Sequence, residues 1–379
     1  MIRSLSFKGL NHRIDDNLEF HEDVNVFTGM NGSGKTTLLK LLWYLISGNL
    51  ERIVPEIPFR EVSIRADSFS LSMSQIEDEI KVVSKFSGEQ ESTTTRPIEG
   101  SDRVLIRLNR RIARITERSL FFPTFRRIEG GFSGGEGTSS TGPVYYRAEM
   151  ERYQSGRSRR RIVDRTADRL QGAMAELSTG LSMYDHKFVV SISTHDIIDL
   201  LTEKYAAISQ RTNTLHIDLS KEITQKISAT KEEEEAILLL KGIQERVREV
   251  AEERDRLLKP FSVLDKRIPE IFHYDGIRVT PGIVLGAENE ENEAIASDKL
   301  SAGEKQMLSF LCYNTFSEKT PIFIDEPELS LHLDWQRRLL PALLEQGTDN
   351  QFFIATHSPF IYSKYPDKEI LLGDDRGAN

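Results

Sequence analysis

Residues 29–36, Gly-Met-Asn-Gly-Ser-Gly-Lys-Thr, restrict the fold of this chain more than any other segment. They follow a short apolar run, Val24 to Phe27, and precede a segment from Thr36 to about Gly48 in which leucines recur at helical spacing. A strand, a glycine-rich turn and a helix in this order direct successive backbone N–H groups to the positive end of the helix. The pattern predicts a phosphate-binding loop in an α/β fold.

The side chains of this loop match the chemistry of a nucleoside triphosphate. Lys35 would reach the β- and γ-phosphate oxygens, and the Thr36 hydroxyl would bind Mg²⁺. We therefore expect ATP and Mg²⁺ as ligands. The predicted nucleotide-binding residues of this region are Asn31, Gly32, Ser33, Gly34, Lys35, Thr36 and Thr37.

Two carboxylates follow a second apolar strand in the segment PIFIDEPELSLH. Asp325, at the end of the strand, would bind Mg²⁺ together with Thr36. Glu326, the next residue, would orient and deprotonate the attacking water, because phosphoryl transfer depends mainly on positioning and charge control. Pro327 then ends the strand.

A histidine follows a third apolar strand in FFIATHSPF. His357 comes after Glu326 in the chain, at the end of the next strand pattern, so it would stand on a neighbouring strand and contact the γ-phosphate or the attacking water. The competing candidate is His195 in VVSISTHDIIDLL, which precedes the acidic pair and continues into a helical pattern. The order along the chain favours His357.

Composition limits the class of protein. The net charge of −9 argues against a chain that coats nucleic acid over its whole surface, and the one cysteine, Cys312, allows no internal disulfide. The N-terminus resembles a strand rather than a signal segment, and no apolar run approaches the length of a membrane span. These features predict a cytoplasmic protein.

The chain divides into three segments by pattern. Strand-like runs dominate residues 1–130, helix-forming and highly charged sequence dominates 131–270, and strand patterns return in 271–379. We predict an ATPase head formed by the first and third segments and split by a helical insertion with short arms. The helical pattern is expected to stop at Pro260, and the polar stretch from Ser87 to Ser101 is expected to be a loop.

The phosphate loop, LSAGEKQ, IFIDEPELSLH and ATHSP, in this order, resemble the ABC-type (P-loop) ATPases of the OLD/SMC-like group. That group includes ATPase subunits of the Septu, PARIS and retron-associated anti-phage systems and the ATPase half of OLD and Gabija nucleases. The resemblance covers about residues 1–130 and 271–379. It implies a head that dimerises with two ATP molecules between the subunits.

The resemblance also requires a signature loop, and the sequence offers two candidates. Residues 131–136, GFSGGE, are followed by GTSSTGP, which cannot form a helix. Residues 301–304, followed by KQMLSFLCYNTF, begin a helical pattern that leads directly to the acidic strand. We predict that Ser301, Ala302, Gly303 and Glu304 bind the γ-phosphate held by the opposite subunit, and that GFSGGE is a linker.

Three further assignments remain open. The residue that links Mg²⁺ to the helical lobe is either Gln75 or, as we favour, part of PTFRRIE with Thr124, Arg126 and Arg127. His332 stands where many relatives have an aspartate that contacts the other subunit. The basic run Arg157, Arg159, Arg160 and Arg161 is either a DNA contact or a solvated helix face.

The spacing of the motifs indicates the branch of the group. The interval from Thr36 to Ser301 is longer than the resemblance implies for a transporter ATPase and shorter than it implies for SMC-type proteins. The sequence ends soon after His357, whereas OLD and Gabija proteins continue into a nuclease domain. We expect a slow, regulatory ATPase subunit that controls a separate effector, a nuclease or toxin, in anti-phage defence. The alternative is an SMC-like ATPase that acts on DNA directly.

Overall fold

The computed structural model describes residues 1–12, 14–76, 79–86, 89–95, 103–124, 127–128, 176–192, 194–229, 233–272, 277–279, 283–285 and 300–373. The strands, in chain order, are β1 (Ile2–Leu10), β2 (Ile14–Glu19), β3 (Val24–Thr28), β4 (Glu61–Ala66), β5 (Phe69–Ile76), β6 (Glu79–Phe86), β7 (Glu89–Thr95), β8 (Arg118–Phe122), β9 (Arg127–Ile128), β10 (Asp185–Phe188), β11 (Ser191–Ile192), β12 (Ile277–Val279), β13 (Ile283–Leu285), β14 (Pro321–Asp325), β15 (Gln351–Ala355) and β16 (Glu369–Leu371).

The helices, in chain order, are α1 (Lys35–Ser47), α2 (Leu50–Glu56), α3 (Arg103–Ile115), α4 (Thr194–Ala229), α5 (Glu233–Phe272), α6 (Ala302–Thr315), α7 (Leu333–Leu344) and α8 (Pro359–Tyr362). Among the helices of the described ranges, none is both long enough and apolar enough to span a membrane.

A six-stranded parallel sheet forms the centre of the head, in the order β10-β8-β14-β15-β3-β16. The middle strands β3, β14 and β15 are buried along their whole length, as their uninterrupted apolar sequences predict. Both end segments of the chain contribute to this sheet, because β3 from the first segment pairs directly with β15 from the last. The sequence expectation of one head built from both ends of the chain is thus met.

A second, antiparallel sheet covers one face of the head in the order β2-β1-β4-β5-β6-β7. Helix α1 lies between the two sheets, and its side chains from Leu41 to Ser47 are all buried. The other face of the parallel sheet packs against apolar residues of α4, α5, α6 and α7. The α/β layering therefore buries two cores, one on each face of the parallel sheet.

Helices α4 and α5 form the described part of the insertion and pack against each other. They have 36 and 40 residues, which corresponds to lengths of about 54 Å and about 60 Å. Arg246 of α5 forms an ion pair with Glu222 of α4. The predicted helical insertion is present, and each of these helices is longer than an ordinary globular helix.

Two local expectations were wrong. The helix does not stop at Pro260 but continues to Phe272 through Pro260 and Pro269. Beyond Pro260, Leu264 and Ile268 are fully buried against the head, and this burial compensates for the backbone hydrogen bond that proline removes. The predicted polar loop contains strand β7, whose backbone pairs antiparallel with β6 as an edge strand.

The boundaries at 130 and 270 stay a prediction. Within the segment predicted as the insertion, strand β10 pairs with β8 and so belongs to the parallel sheet. The apolar start of α4 also packs on that sheet, with Ile197 and Leu201 fully buried. Within the described residues, α4 therefore begins on the parallel sheet of the head.

Candidate active site

Four neighbouring strands of the parallel sheet bring the predicted site residues to one edge. The phosphate loop follows β3, Asp325 ends β14, Thr356 and His357 follow β15, and Thr124 follows β8. Since parallel strands have their carboxyl ends on the same side, the motifs meet although the sequence separates them widely.

The phosphate loop depends on three glycines with positive φ. Gly29, Gly32 and Gly34 have φ of 141°, 79° and 93°. A Cβ atom on Gly29 would lie 2.5 Å from the carbonyl oxygen of Leu372, whereas one on Gly32 would meet nothing within 4 Å. Gly29 is thus required by the packing of the loop, and Gly32 by its backbone conformation with open space beside it.

The start of α1 has the properties of an anion-binding site. Gly34 occupies the N-cap position and provides no side-chain hydrogen bond to the helix, and no acidic residue lies in the first turn. Among the described residues, the buried Oγ atom of Ser33 has no hydrogen-bond partner. Lys35 is buried, and its Nζ atom donates to the carbonyl oxygens of Gly29 and Met30 at 3.1 Å each. These donors fit a phosphate group.

The remaining loop residues differ in exposure and contacts. Asn31 and Gly32 are exposed, and Thr36 and Thr37 are half-buried. The Thr37 hydroxyl accepts a hydrogen bond from Asn11 Nδ2 at 3.3 Å, so the turn after strand β1 supports the helix.

Asp325 is the meeting point of two hydroxyl groups. The Thr36 hydroxyl donates to Asp325 Oδ1 at 3.1 Å, and the Thr124 hydroxyl donates to Oδ2 of the same carboxylate. A carboxylate and a hydroxyl beside a phosphate loop are oxygen ligands of the type that Mg²⁺ prefers. The residues present therefore fit a Mg²⁺ ion. Thr36 and Asp325 would hold the ion, which supplies positive charge to the phosphate oxygens when it is bound.

Thr124 and Gln75 are placed very differently. Thr124 contacts Asp325, whereas Gln75 lies in β5 of the antiparallel sheet with an exposed side chain. The backbone of Arg127 belongs to β9, while Arg126 lies outside the described residues. Among the candidates that the structure describes, the geometry brings only Thr124 to the acidic strand.

Glu326 has a strained backbone and a perturbed side chain. Its φ is +47°, and its backbone N–H donates to the Ala355 carbonyl at 2.8 Å, which fixes the turn. Partial burial raises the pKa of Glu326, and the carboxylates of Asp325 and Glu328 raise it further against the opposing charges of His357 and Lys35. Burial also lowers the pKa of Lys35. A raised carboxylate pKa suits a general base.

Glu328 connects the acidic strand to the histidine loop, a role that the sequence interpretation missed. Its carboxylate accepts hydrogen bonds from the Thr356 hydroxyl at 2.8 Å and from the His357 backbone N–H at 2.7 Å. The His357 side chain itself is exposed. The only sequence signal was a third carboxylate shortly after Glu326. Glu328 therefore fixes the backbone that carries His357 relative to the Asp325–Glu326 turn.

Gln336 of α7 makes a second connection in the same place. It accepts a hydrogen bond from the Ser358 hydroxyl at 2.6 Å and donates to the Leu331 carbonyl at 2.8 Å. The loop after the acidic strand is thereby joined to the histidine loop at two points.

The predicted signature residues begin α6 as a capping box. Ser301 Oγ accepts from the Glu304 backbone N–H at 3.3 Å, and the Glu304 carboxylate accepts from the Ser301 backbone N–H at 2.7 Å. Gly303 is buried, and a Cβ atom there would lie 2.5 Å from the Ser330 carbonyl and 3.1 Å from the Trp335 ring. Among described residues, no hydrogen bond joins Ser301, Ala302, Gly303 or Glu304 to the chain's own phosphate loop.

The other candidates have separate places. His332 is the exposed N-cap of α7, where its Nδ1 atom accepts from the Asp334 backbone N–H at 3.4 Å. His195 belongs to the first turn of α4, as its helical pattern predicted, but its side chain is not among those described. The segment GFSGGE and the residues Arg157, Arg159, Arg160 and Arg161 lie outside the described residues.

A parallel sheet, a phosphate loop opening a helix between two sheets, and an acidic pair at the neighbouring strand end define a P-loop ATPase. Residues 24–363 match the family described as "AAA domain, putative AbiEii toxin, Type IV TA system". This match covers most of the chain, so the protein belongs to that family. Membership implies that it binds and hydrolyses ATP.

Individual relatives are more distant. The chain is 36% identical over 75 residues to the endonuclease GajA of Bacillus cereus (strain VD045). The aligned stretch covers 18% of this chain and 13% of GajA. The Smc head domain of Pyrococcus furiosus with an extended coiled coil, bound to the C-terminal domain of ScpA, aligns with a TM-score of 0.38 at 14% identity. A SmcHead bound to the C-winged helix domain of ScpA gives 0.40 at 12%. Each alignment covers 96% of this chain and 91% of the other.

Proposed function

We propose that the protein is an ATP-dependent switch in which two copies pair around bound ATP and the paired state controls a separate effector. The position of Ser301 carries this proposal. The groups for phosphate binding and hydrolysis lie together at one edge of the sheet, whereas Ser301 is exposed and, among the described residues, is joined to none of them by a hydrogen bond. A second copy would supply its own Ser301 to complete the site.

Exposed apolar side chains around the site support pairing. Met30 of the phosphate loop is 68% exposed, and Leu329 and Leu333, beside the acidic strand, are 44% and 46% exposed. Large apolar side chains on the rims of a nucleotide site are typical of a surface that becomes buried on association. His332 lies between Leu329 and Leu333 and would contact the second copy.

Each residue has a defined task in the proposed reaction. Ser33, Lys35 and the N–H groups at the start of α1 bind the phosphates. Glu326 orients the attacking water and takes its proton, and His357 contacts the γ-phosphate. Ser301, Ala302 and Gly303 of the second copy approach the γ-phosphate from the opposite side. Because the site is complete only in the pair, we expect slow turnover that is limited by pairing.

The effector proposal rests on the relatives. The family description names a toxin of a toxin–antitoxin system, and the relative GajA is an endonuclease of which this chain matches 13%. We propose that nuclease or toxin action belongs to another polypeptide that recognises the ATP-bound pair, in defence against phage.

Blocking hydrolysis tests the pairing. The variant Glu326→Gln, given ATP and Mg²⁺, should elute at twice the mass of the ATP-free protein when measured by light scattering. Adding Ser301→Arg should restore the single-copy mass while ATP still binds. Ser262→Arg, at an exposed position of α5, is the matched control and should leave the pair intact. An unchanged mass for Glu326→Gln with ATP would contradict the proposal.

Comparing two trapped states tests the effector. Tagged Glu326→Gln and tagged Lys35→Ala should be recovered from the native cells in the presence of ATP. We expect a nuclease or toxin activity to copurify with Glu326→Gln and to be absent with Lys35→Ala. Equal activity with both variants would show that the ATP-bound pair does not select the effector.

A further inference from the structure

Helix α3 presents a face of arginines that no motif of the ATPase site uses. Arg107, Arg110, Arg111 and Arg114 recur at spacings of three and four residues, which places them within about a third of the helix circumference. Arg107, Arg110 and Arg114 are exposed. Arg111 is half-buried and lies over the Phe86 ring, with its guanidinium carbon 4.2 Å from the ring centre. These four residues are the arginine face.

Three of the four arginines have no ion-pair partner among the described residues. The helix itself contains no aspartate or glutamate. None of the ion pairs found between described residues includes Arg107, Arg110 or Arg114; Arg114 lies instead over the Tyr184 ring at 5.6 Å. The face is therefore a concentrated positive surface on a chain with a net charge of −9.

Three arginines of the helical arms provide a contrast. Arg246 pairs with Glu222 and Glu249, Arg248 pairs with Glu245 and Glu252, and Arg254 pairs with Asp255. These three arm arginines are thus paired with acidic side chains of the arms, whereas no ion pair between described residues includes Arg107, Arg110 or Arg114. The difference is one of local pairing, since both sets of arginines are on helix surfaces.

The opposite side of α3 is fixed to the head. Leu108, Ile112 and Ala113 are buried. Asn109 Oδ1 accepts from the Leu50 backbone N–H at 3.3 Å, and the Asn109 carbonyl lies where a Cβ atom on Gly48, the C-cap of α1, would stand. The face is therefore held on a rigid support, which reduces the entropy lost when a ligand binds.

We propose that the arginine face binds the phosphate backbone of nucleic acid. From Arg107 to Arg114 the face extends about 10 Å, and a duplex carries one charge per about 1.7 Å of its axis, so several phosphates lie within reach. Guanidinium groups bind phosphate oxygens in a bidentate manner. Glu222 and Glu249 of the arms are poor partners for the face of a second copy, because both are already paired with cations of their own chain. The surface is independent of the effector proposed above.

The test is the salt dependence of binding to a short duplex DNA and to an RNA duplex of the same sequence. The wild-type protein should bind at least one duplex, and its affinity should fall steeply between about 50 and 200 mM salt. In the triple variant Arg107→Gln, Arg110→Gln, Arg114→Gln, the slope of log affinity against log salt should become shallower by about 2 to 3. The triple variant Arg107→Lys, Arg110→Lys, Arg114→Lys should keep most of that slope.

A charge-matched control separates this face from net charge. Arg246→Gln, Arg248→Gln, Arg254→Gln removes the same charge from the paired arm arginines and should leave the slope near that of the wild type. Circular dichroism and ATP binding confirm that each variant is folded. The proposal is overturned if the wild-type protein binds neither duplex, or if both glutamine triples weaken binding equally. It is also overturned if the α3 triple alters only the oligomeric state, because the face would then bind a second copy.

Discussion

Two helices of the head begin in opposite ways. Helix α1 has Gly34 as its N-cap, no side-chain cap and no acidic residue in its first turn. The buried Ser33 hydroxyl before it has no hydrogen-bond partner in the described part of the chain. Helix α6 begins with a complete capping box, in which Ser301 and Glu304 satisfy each other's backbone N–H groups. The sequence interpretation assigned both ends to phosphate.

The difference indicates two modes of phosphate binding. The start of α1 keeps its donors available within the chain, at the positive end of the helix dipole. The start of α6 uses two of its donors internally, the N–H groups of Ser301 and Glu304, and places the Glu304 carboxylate beside the remaining ones. In the pairing proposed above, a γ-phosphate of the second copy would therefore approach next to the Glu304 carboxylate, whose negative charge opposes the contact.

Removing the Lys35 cation at the start of α1 should have the largest effect. Lys35→Ala should weaken ATP binding by about 100-fold or more, because it deletes a charged donor at a partly desolvated site. Titration with a fluorescent ATP analogue measures this affinity. Ser301→Arg should bind the analogue as the wild type does, since the capped end lies apart from the chain's own phosphate loop. Equal losses in both variants would remove the distinction between the two ends.

The pH dependence of ATP hydrolysis should report on the start of α1, because Lys35 and Glu326 both lie there rather than at the start of α6. The pKa of Glu326 is raised, so the base is lost by protonation at a higher pH than an ordinary glutamate would require. The pKa of Lys35 is lowered, so its charge is lost at a lower pH than for an ordinary lysine. The profile of kcat/KM for ATP should show an acid limb above the ordinary glutamate range and an alkaline limb below the ordinary lysine range.

A variant of Glu328 checks the origin of the acid limb. Glu328→Gln removes one of the negative charges that raise the Glu326 pKa, so the limb should move to lower pH. The overall rate can fall as well, since Glu328 holds the His357 backbone, but the position of the limb reports the charge. An acid limb that moves to higher pH would contradict the assignment.

A substitution at Gly303 tests how closely α6 packs against the loop at Ser330. Gly303→Ala places a methyl group 2.5 Å from the Ser330 carbonyl, so we expect a loss of about 1–3 kcal/mol in the free energy of unfolding. Gly242→Ala is the matched control, because Gly242 lies in α5 with nothing within 4 Å of an added Cβ; it should stabilise the protein by about 0.5–1 kcal/mol. Urea denaturation measures both. If Gly303→Ala leaves the free energy of unfolding unchanged, the loop at Ser330 can shift without a measurable cost.

The comparison also shows what the sequence could predict. The phosphate loop, the acidic strand and the histidine strand were predictable because each motif joins a local pattern to a strand end, and parallel strands then bring them together. The spacing Ser301-x-x-Glu304 is typical of a capping box. The family resemblance predicted a phosphate-binding loop at the same residues instead. The arginine face was also readable from its spacing in α3. The contact of Gly303 with Ser330 and the clamp of Glu328 on the histidine loop depend on tertiary packing, which no local pattern encodes.

The smallest effect should come from the cap itself. Ser301→Ala removes the acceptor of the Glu304 N–H and should cost about 1 kcal/mol in the free energy of unfolding. Glu304→Gln keeps a side chain that can accept from the Ser301 N–H but removes the negative charge, so the loss should be only about 0.3–1 kcal/mol. In the Glu326→Gln background, however, Glu304→Gln should strengthen ATP-dependent pairing, because the carboxylate no longer repels the γ-phosphate of the second copy. Sedimentation at several ATP concentrations measures this. If Glu304→Gln instead weakens pairing beyond its effect on folding, the capping box stays closed in the pair and α6 binds the second copy through other atoms.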